Sequence, residues 1–332
     1  PAGLPWPREA TRWQDGQPQR RSVTLEDMLE GAEAVIQTLN GAHDGRILTY
    51  LTPFTIVPSI ETSNISTPDR AVALTGDDRR HARLVRELAR KYGVRLHSDA
   101  FAGHIRLAAQ DRENALLGPD IHLQHCWGIS PDEIAILAET GTAVTHAPPG
   151  RTTPVVEMMA AGIPLAITTD GTAPDRFFDL LQTARSFQST QHVLRGHDRF
   201  WFPPGKVLEM ITIDAARVLG LADQIGSLEV GKKADIAVID MRAPHLTPDW
   251  QPVHRLIAQA TGSDVGSVMV DGQFVMLDRK PLLVDEAAAL AEGNRLAREL
   301  VARAGVAEHL RDPGWGQIHR SFTAPITLPT PP

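Results

Sequence analysis

"IHLQHCWGISPDEIAILAETGTAVTH", residues 121–146, decides the fold. It opens as a strand, "DIHLQHCWG" over 120–128, and passes into a helix over 130–141. Ser130 stands at the N-cap, Pro131 at the first helical position and Glu133 where a capping box needs its carboxylate. Gly141 ends the helix, and "TAVTHAPP" begins a second strand at once. The same unit recurs downstream, as helix "TTPVVEMMAAG" (152–162), strand "IPLAITTDG" (163–171) and helix "APDRFFDLLQTARSFQ" (173–188). Upstream, "TLEDMLEGAEAVIQTLNG" (24–41) and "DRRHARLVRELARKYG" (78–93) are helices closed by glycine. "RILTYLTPFTIV" (46–57) is a buried strand candidate and "VRLHSDA" (94–100) a second strand. Strands and helices alternating at short spacing predict a parallel sheet covered by helices.

Each strand carries a polar residue near its C-terminal end: His97 or Asp99, His125, His146 and Asp170. In a barrel of this kind, that rim is where ligands and catalysts converge. A lone strand histidine is ordinarily a packed, hydrogen-bonded residue. Three with an aspartate at matching strand ends form a ligand set suited to a catalytic zinc or iron centre. Cys126 reads as a small buried hydrophobe, with no dedicated histidine to activate it.

Beyond residue 205 the texture changes. "KVLEMITIDAARVLGL" (206–221) reads as one helix. "GSLEVGKKADIAVID" (226–240) and "VGSVMVDGQFVM" (265–276) are short strands, with Asp271-Gly272 a tight hairpin signal. "VDEAAALAEGNRLARELVARAG" (284–305) is a closing helix, and the polar first 22 residues, starting at Pro1 without a methionine, read as a loose arm, an artificial boundary or a processed end. The expected division is a catalytic barrel portion over 1–222, a small sandwich portion over 223–282 and a C-terminal helix and tail over 283–332.

The 332 residues are 42% hydrophobic with a net charge of −7. An acidic balance without a basic stripe argues against nucleic acid as a partner. No apolar run of about 18 residues is present, which argues against a membrane span. A single cysteine excludes an intrachain disulfide framework and a multi-cysteine zinc site. With no secretory signal visible, the cytoplasm is the expected location.

Three stretches, "LQHCWGISPDEIAILAETGTAVTHAPPG" (123–150), "AAGIPLAITTDGTAPD" (160–175) and "ITIDAARVLGLADQIGSLEVGKKADIAVID" (211–240), resemble the amidohydrolase superfamily. The nearest branch is the cytosine deaminase, guanine deaminase and triazine hydrolase group. The resemblance runs from about residue 22 to 300. It implies an α/β fold, a (β/α)8 TIM-barrel-like metal-dependent hydrolase with a small β-sandwich, and one Zn2+ or Fe2+ per site. It also implies hydrolysis of a C–N bond in a small cyclic or heteroaromatic substrate, most simply deamination. Dechlorination and amide cleavage are alternatives with the same metal chemistry. Carried over by position, His125 and Asp170 are metal ligands, with His97 and Asp99 as further members of that set. Asp170 also accepts a proton, and His146 faces the substrate. Phe101, His104, Trp127 and Phe177, at or just beyond strand ends, are candidates for lining a flat substrate pocket.

Two departures from the family pattern bear on activity. The fifth-strand pattern H-x-H-x-x-E is "HSDAFA" here, with Asp99 at the second histidine and Ala102 at the glutamate. The first-strand H-x-H pair is absent, and only five strand candidates stand where the family barrel needs eight. The expected structure is therefore the C-terminal five strand–helix units and part of the sandwich. A homo-oligomer, or a complementing N-terminal segment or chain, would complete it. A non-catalytic homologue serving binding or assembly is the alternative from another class.

Overall fold

The computed structural model describes residues 8–14, 17–60, 73–148, 153–171, 178–195 and 202–305. By its own contacts the chain divides into two units, Pro1–Gln273 and Phe274–Pro332.

The first unit begins with a hairpin, β1 (Arg8–Gln14) and β2 (Gln17–Val23), paired antiparallel from Arg8↔Val23 to Gln14↔Gln17. This corrects the expected loose arm. Helix α1 (Leu25–Leu39) follows, its start fixed by a reciprocal capping box between Thr24 and Asp27. A short turn, α2 (Ala42–Gly45), leads to β3 (Tyr50–Leu51). The strand expected over 46–57 thus shrinks to two residues and one further bridge, Thr55 to Asp99. Ile47, Leu48 and Phe54 are exposed, and Pro53 has no N–H to donate to a ladder.

From there strand and helix alternate: α3 (Gly76–Tyr92), β4 (Arg95–Phe101), α4 (His104–Ala108), β5 (Ile121–Trp127), α5 (Pro131–Thr140), β6 (Ala143–His146), α6 (Val155–Ala160), β7 (Leu165–Ile167) and α7 (Leu180–Arg195). The strands form one parallel sheet in the order β3-β4-β5-β6-β7. Sequential parallel order is what right-handed strand–helix–strand units produce. Among the described residues this sheet has five strands, the number expected, and β3 and β7 are its edges. This is a partial barrel.

Side chains alternate across the sheet. On the helix side Leu96, Ile121, Leu123, Val144 and Leu165 are buried among Val85, Leu88, Leu137, Met158 and Phe187. On the inner face lie His97, Asp99, His122, Gln124 and Thr145, which line a cavity of about 400 Å3.

The helix expected over 206–221 is two helices, α8 (Pro204–Met210) and α9 (Ile213–Leu219). Thr212 breaks it: its backbone leaves the helical region and its hydroxyl donates back to the Leu208 carbonyl at 2.7 Å. The break lets Val218 and Ala215 pack on Ala143 and Ala166. Beyond, β8 (Ile236–Ile239) pairs antiparallel with β9 (Val265–Val270), with α10 (Pro252–Ala258) between them in sequence. Asp271 (φ 49°) and Gly272 (φ 77°) adopt the left-handed pair the sequence signalled.

The second unit holds all but the first residue of β10 (Gln273–Leu277), its two-rung antiparallel pairing with β11 (Lys280–Pro281), and α11 (Glu286–Ala304) capped by Asp285. Among the described residues no helix is long and apolar enough to cross a membrane.

Candidate metal centre

The centre is built on the ends of β4, β5 and β7. Along β4 the register pairs His97 with His122 and Asp99 with Gln124, up to Ala100 with His125; Phe101 then pairs with Trp127. Cys126 is the extra residue, a β-bulge. His125 (φ 72°) and Cys126 (φ 50°) both take left-handed conformations to make it. In an unbroken strand His125 would share a face with Leu123 and point into the helix layer. The bulge instead sets its Nε2 3.4 Å from Asp170 Oδ2 and 3.9 Å from Asp99 Oδ2. The Thr153 hydroxyl donates to the His125 carbonyl at 2.9 Å and holds the bent backbone. Cys126 is fully buried, and burial pushes its thiol well above the usual range, so it is no nucleophile.

Asp170 also has a left-handed backbone (φ 60°), three residues beyond the end of β7. Its Oδ1 accepts the Gly171 N–H at 2.5 Å, which turns Oδ2 toward His125. Asp99 donates its own N–H to the Phe54 carbonyl at 3.1 Å, while its carboxylate stays on the inner face.

Two ligands on one tetrahedral zinc-type ion, at about 2.0–2.2 Å each, lie roughly 3.4 Å apart. The His125–Asp170 pair has that spacing and the right donor chemistry, an imidazole nitrogen with a carboxylate oxygen. The fit stops at part of a ligand set. Among the described residues no three His, Cys, Asp or Glu side chains are grouped to hold an ion. The expected quartet of His97, Asp99, His125 and Asp170 is therefore not drawn together. His97 lies two residues before Asp99 and so one layer further from the rim, its ring 4.6 Å from that of His122. Burial, chiefly, lowers the pKa of His97, and that of His122 to about 3.

His146 is a second correction. Its neighbour Thr145 faces the inner cavity, so His146 turns outward into the helix layer, fully buried and edge-on to Phe187 at 5.6 Å. Neither ring nitrogen has a hydrogen-bond partner, and burial brings its pKa down to about 4. It does not face an open substrate side.

Of the expected aromatic lining, Phe101 lies parallel to His125 (5.6 Å, 18°), and Trp127 packs on both (4.6 Å to His125, 5.8 Å to Phe101). The Trp127 indole N–H finds no acceptor. His104 is buried edge-on to Phe101, with its pKa lowered to about 4 by burial; it props the site from behind. Phe177 falls outside the described residues.

Three side chains here were not singled out from the sequence. Gln124 accepts from the Thr145 hydroxyl, leaving its buried amide nitrogen without a partner on the cavity wall. His122 faces the same cavity. Strand alternation from Asp99 would have found both, once the register was known. Thr153 carries no sequence signal. A separate apolar cavity of about 350 Å3 between α1 and residues 49–58 holds no part of this centre.

The amidohydrolase family model matches residues 74–275, more than half of the chain. A 5-methylthioadenosine/S-adenosylhomocysteine deaminase of Desulforudis audaxviator is 40% identical over 195 residues, 57% of this chain and 45% of that protein. A 5′-deoxyadenosine deaminase of Methanosarcina acetivorans is 30% identical over 295 residues, 84% of this chain and 63% of that protein. The chain thus spans about half to two thirds of the length of these relatives. Among solved structures, an adenosine deaminase from Xanthomonas campestris with bound zinc superposes with a TM-score of 0.70 at 21% identity, over 85% of this chain and 63% of that one. The match of the family model over more than half of the chain, on a parallel sheet of sequential strands, assigns the chain to the amidohydrolase family.

Proposed function

We propose that this chain carries the C-terminal part of the active centre of a metal-dependent deaminase acting on the amino group of a purine nucleoside. The observation that carries the reading is His125 Nε2 set between the carboxylates of Asp170 and Asp99 at the rim of a parallel sheet. The family membership and the deaminase names of its relatives support the reaction and the substrate class. His125 and Asp170 would hold a Zn2+ or Fe2+ ion, with Asp99 beside them. When bound, such an ion supplies Lewis acidity near neutral pH. Asp170, with Oδ1 accepting the Gly171 N–H, would turn Oδ2 to the ion and serve as the carboxylate that accepts a proton beside it. Phe101 and Trp127 orient His125 and offer apolar ring surface to a flat substrate.

The remaining strands and ligands would come from polypeptide outside the described residues, either a preceding segment or another chain. Residues 1–222, 223–282 and 283–332 would then be barrel, sandwich and tail of a cytoplasmic enzyme. The partners are small molecules.

Ala102 and the lack of a three-ligand group among the described residues favour a second reading, a non-catalytic homologue. Assay of the protein from its native source with 5′-deoxyadenosine and 5′-methylthioadenosine separates the two. Ammonia release that a chelator abolishes and zinc restores is the expected result. Folded, metal-free and inert protein would overturn the deaminase reading in favour of the homologue.

A further inference from the structure

Glu133 is buried at the third position of α5, with 2% of its surface exposed. As a capping-box residue it accepts the Ser130 N–H at 3.1 Å. It does more than cap its own helix. Its other oxygen accepts the N–H groups of Ile105 (3.1 Å) and Arg106 (3.2 Å), and the first also takes that of Gly103 (3.2 Å). Three of its four bonds therefore reach a segment about 30 residues upstream, the exit of β4. A carboxylate has about four acceptor positions, and all are used.

The reason lies in α4. Its N-cap is Gly103, in a left-handed conformation (φ 86°), which has no side chain with which to cap. The first N–H groups of any helix lack partners within it. Here Glu133 supplies the missing cap from another helix. The segment held in this way, Phe101 to Arg106, carries the ring stacked on His125 and the His104 ring set edge-on behind it.

We infer that Glu133 is a positioning residue for the metal centre: by capping α4 from α5 it fixes Phe101 and His104, and through them the plane of His125. The inference rests on the reading of His125 as a member of the site. It does not need the deaminase reaction.

Two variants of the full chain test it. Glu133→Gln replaces one oxygen by an NH2 group and sets donor against donor at the β4 exit. Ser130→Ala removes the hydroxyl that accepts the Glu133 N–H at 3.4 Å and leaves the three long-range bonds alone. Both weaken the start of α5. Only Glu133→Gln is expected to move the side-chain 1H–15N signals of His125 and to speed amide exchange at Gly103 and Arg106 at least tenfold. Equal shifts in the two variants, or none in either, would reduce Glu133 to a helix cap and overturn the inference. Should Glu133→Gln not fold, exchange in the unaltered protein decides. Gly103 and Arg106 lie at a helix start on residues that reach solvent, so protection of about a hundredfold supports the bonds, and free exchange overturns them. All these signals are read without substrate, so an inert enzyme would remove the deaminase reading and leave this one standing.

Discussion

His125 and His146 lie toward the ends of neighbouring strands of one sheet, and they face opposite ways. β6 is regular to its end, so period-two alternation sends His146 out among the helices against Phe187. β5 carries one extra residue, Cys126, and the bulge turns His125 in toward two carboxylates. The two residues have the same side chain at the same level of the sheet, each one step beyond the pairing of Gln124 with Thr145. Backbone count alone makes one a candidate ligand and the other part of the core. A strand-end histidine is therefore assigned by its register and not by its place in a motif.

The sharpest way to break that contrast is to compare loss of function on its two sides. Asp170→Asn keeps the shape of the His125 partner and removes its charge and proton-accepting power. General acid–base catalysis contributes about 10²- to 10⁴-fold, so deamination should fall at least a hundredfold, about 3 kcal/mol of barrier. His146→Leu should stay within a few-fold of the unaltered rate. Ammonia release measures both. More than a tenth of the rate surviving in Asp170→Asn, or an inactive but folded His146→Leu, would reverse the assignment.

A second test uses acid. Burial holds the pKa of His146 at about 4 in the folded chain, below the 6.5 of an unperturbed histidine. Between those values the unfolded chain binds a proton that the folded chain refuses, so folding stability is full above about pH 6.5 and is lost as pH falls toward 4. The shift corresponds to a few kcal/mol at most, on the order of 1.4 per pH unit. His104, with its pKa also at about 4, adds to the same loss. His146→Leu should flatten part of this acid limb and, because both ring nitrogens lack partners, should cost little at pH 7. Urea unfolding at pH 5 and pH 7 measures the difference. An unchanged slope would mean that His146 is charged or hydrogen-bonded in solution.

How much of this was legible beforehand follows the same division. The strand–helix rhythm, the glycine stops and the capping boxes are local signals, and β4 to β7, α1, α3 and α5 follow them closely. The place of Asp170 just beyond a strand end was also legible, from the strand pattern and the glycine that follows it. His125 was legible as a residue but not as a geometry, since no pattern in "LQHCWG" announces a bulge. Glu133 was visible as a capping-box residue, whereas its hold on Gly103, Ile105 and Arg106 depends on how α5 packs against the β4 exit. The break at Thr212 was hidden because an apolar pattern runs straight through it. Long-range register and packing decided each of these, and neither is written in a local window.

The smallest effect is expected at Asp99, where β4 brings a carboxylate to the inner face beside the bulge. Asp99→His places an imidazole there, on a strand whose register is already set by the pairing of His97 with His122. The cavity of about 400 Å3 on that face leaves room for the larger ring. Imidazole suits zinc as well as a carboxylate does, so Zn2+ affinity, read by calorimetric titration, should hold within tenfold or tighten. Tenfold is about 1.4 kcal/mol. A larger loss would show that the Asp99 carboxylate, 3.9 Å from His125 Nε2, is itself required, as a ligand or as the acceptor that orients the imidazole. In that outcome the contrast between β5 and β6 would extend to β4, whose regular backbone would then carry a ligand without the help of a bulge.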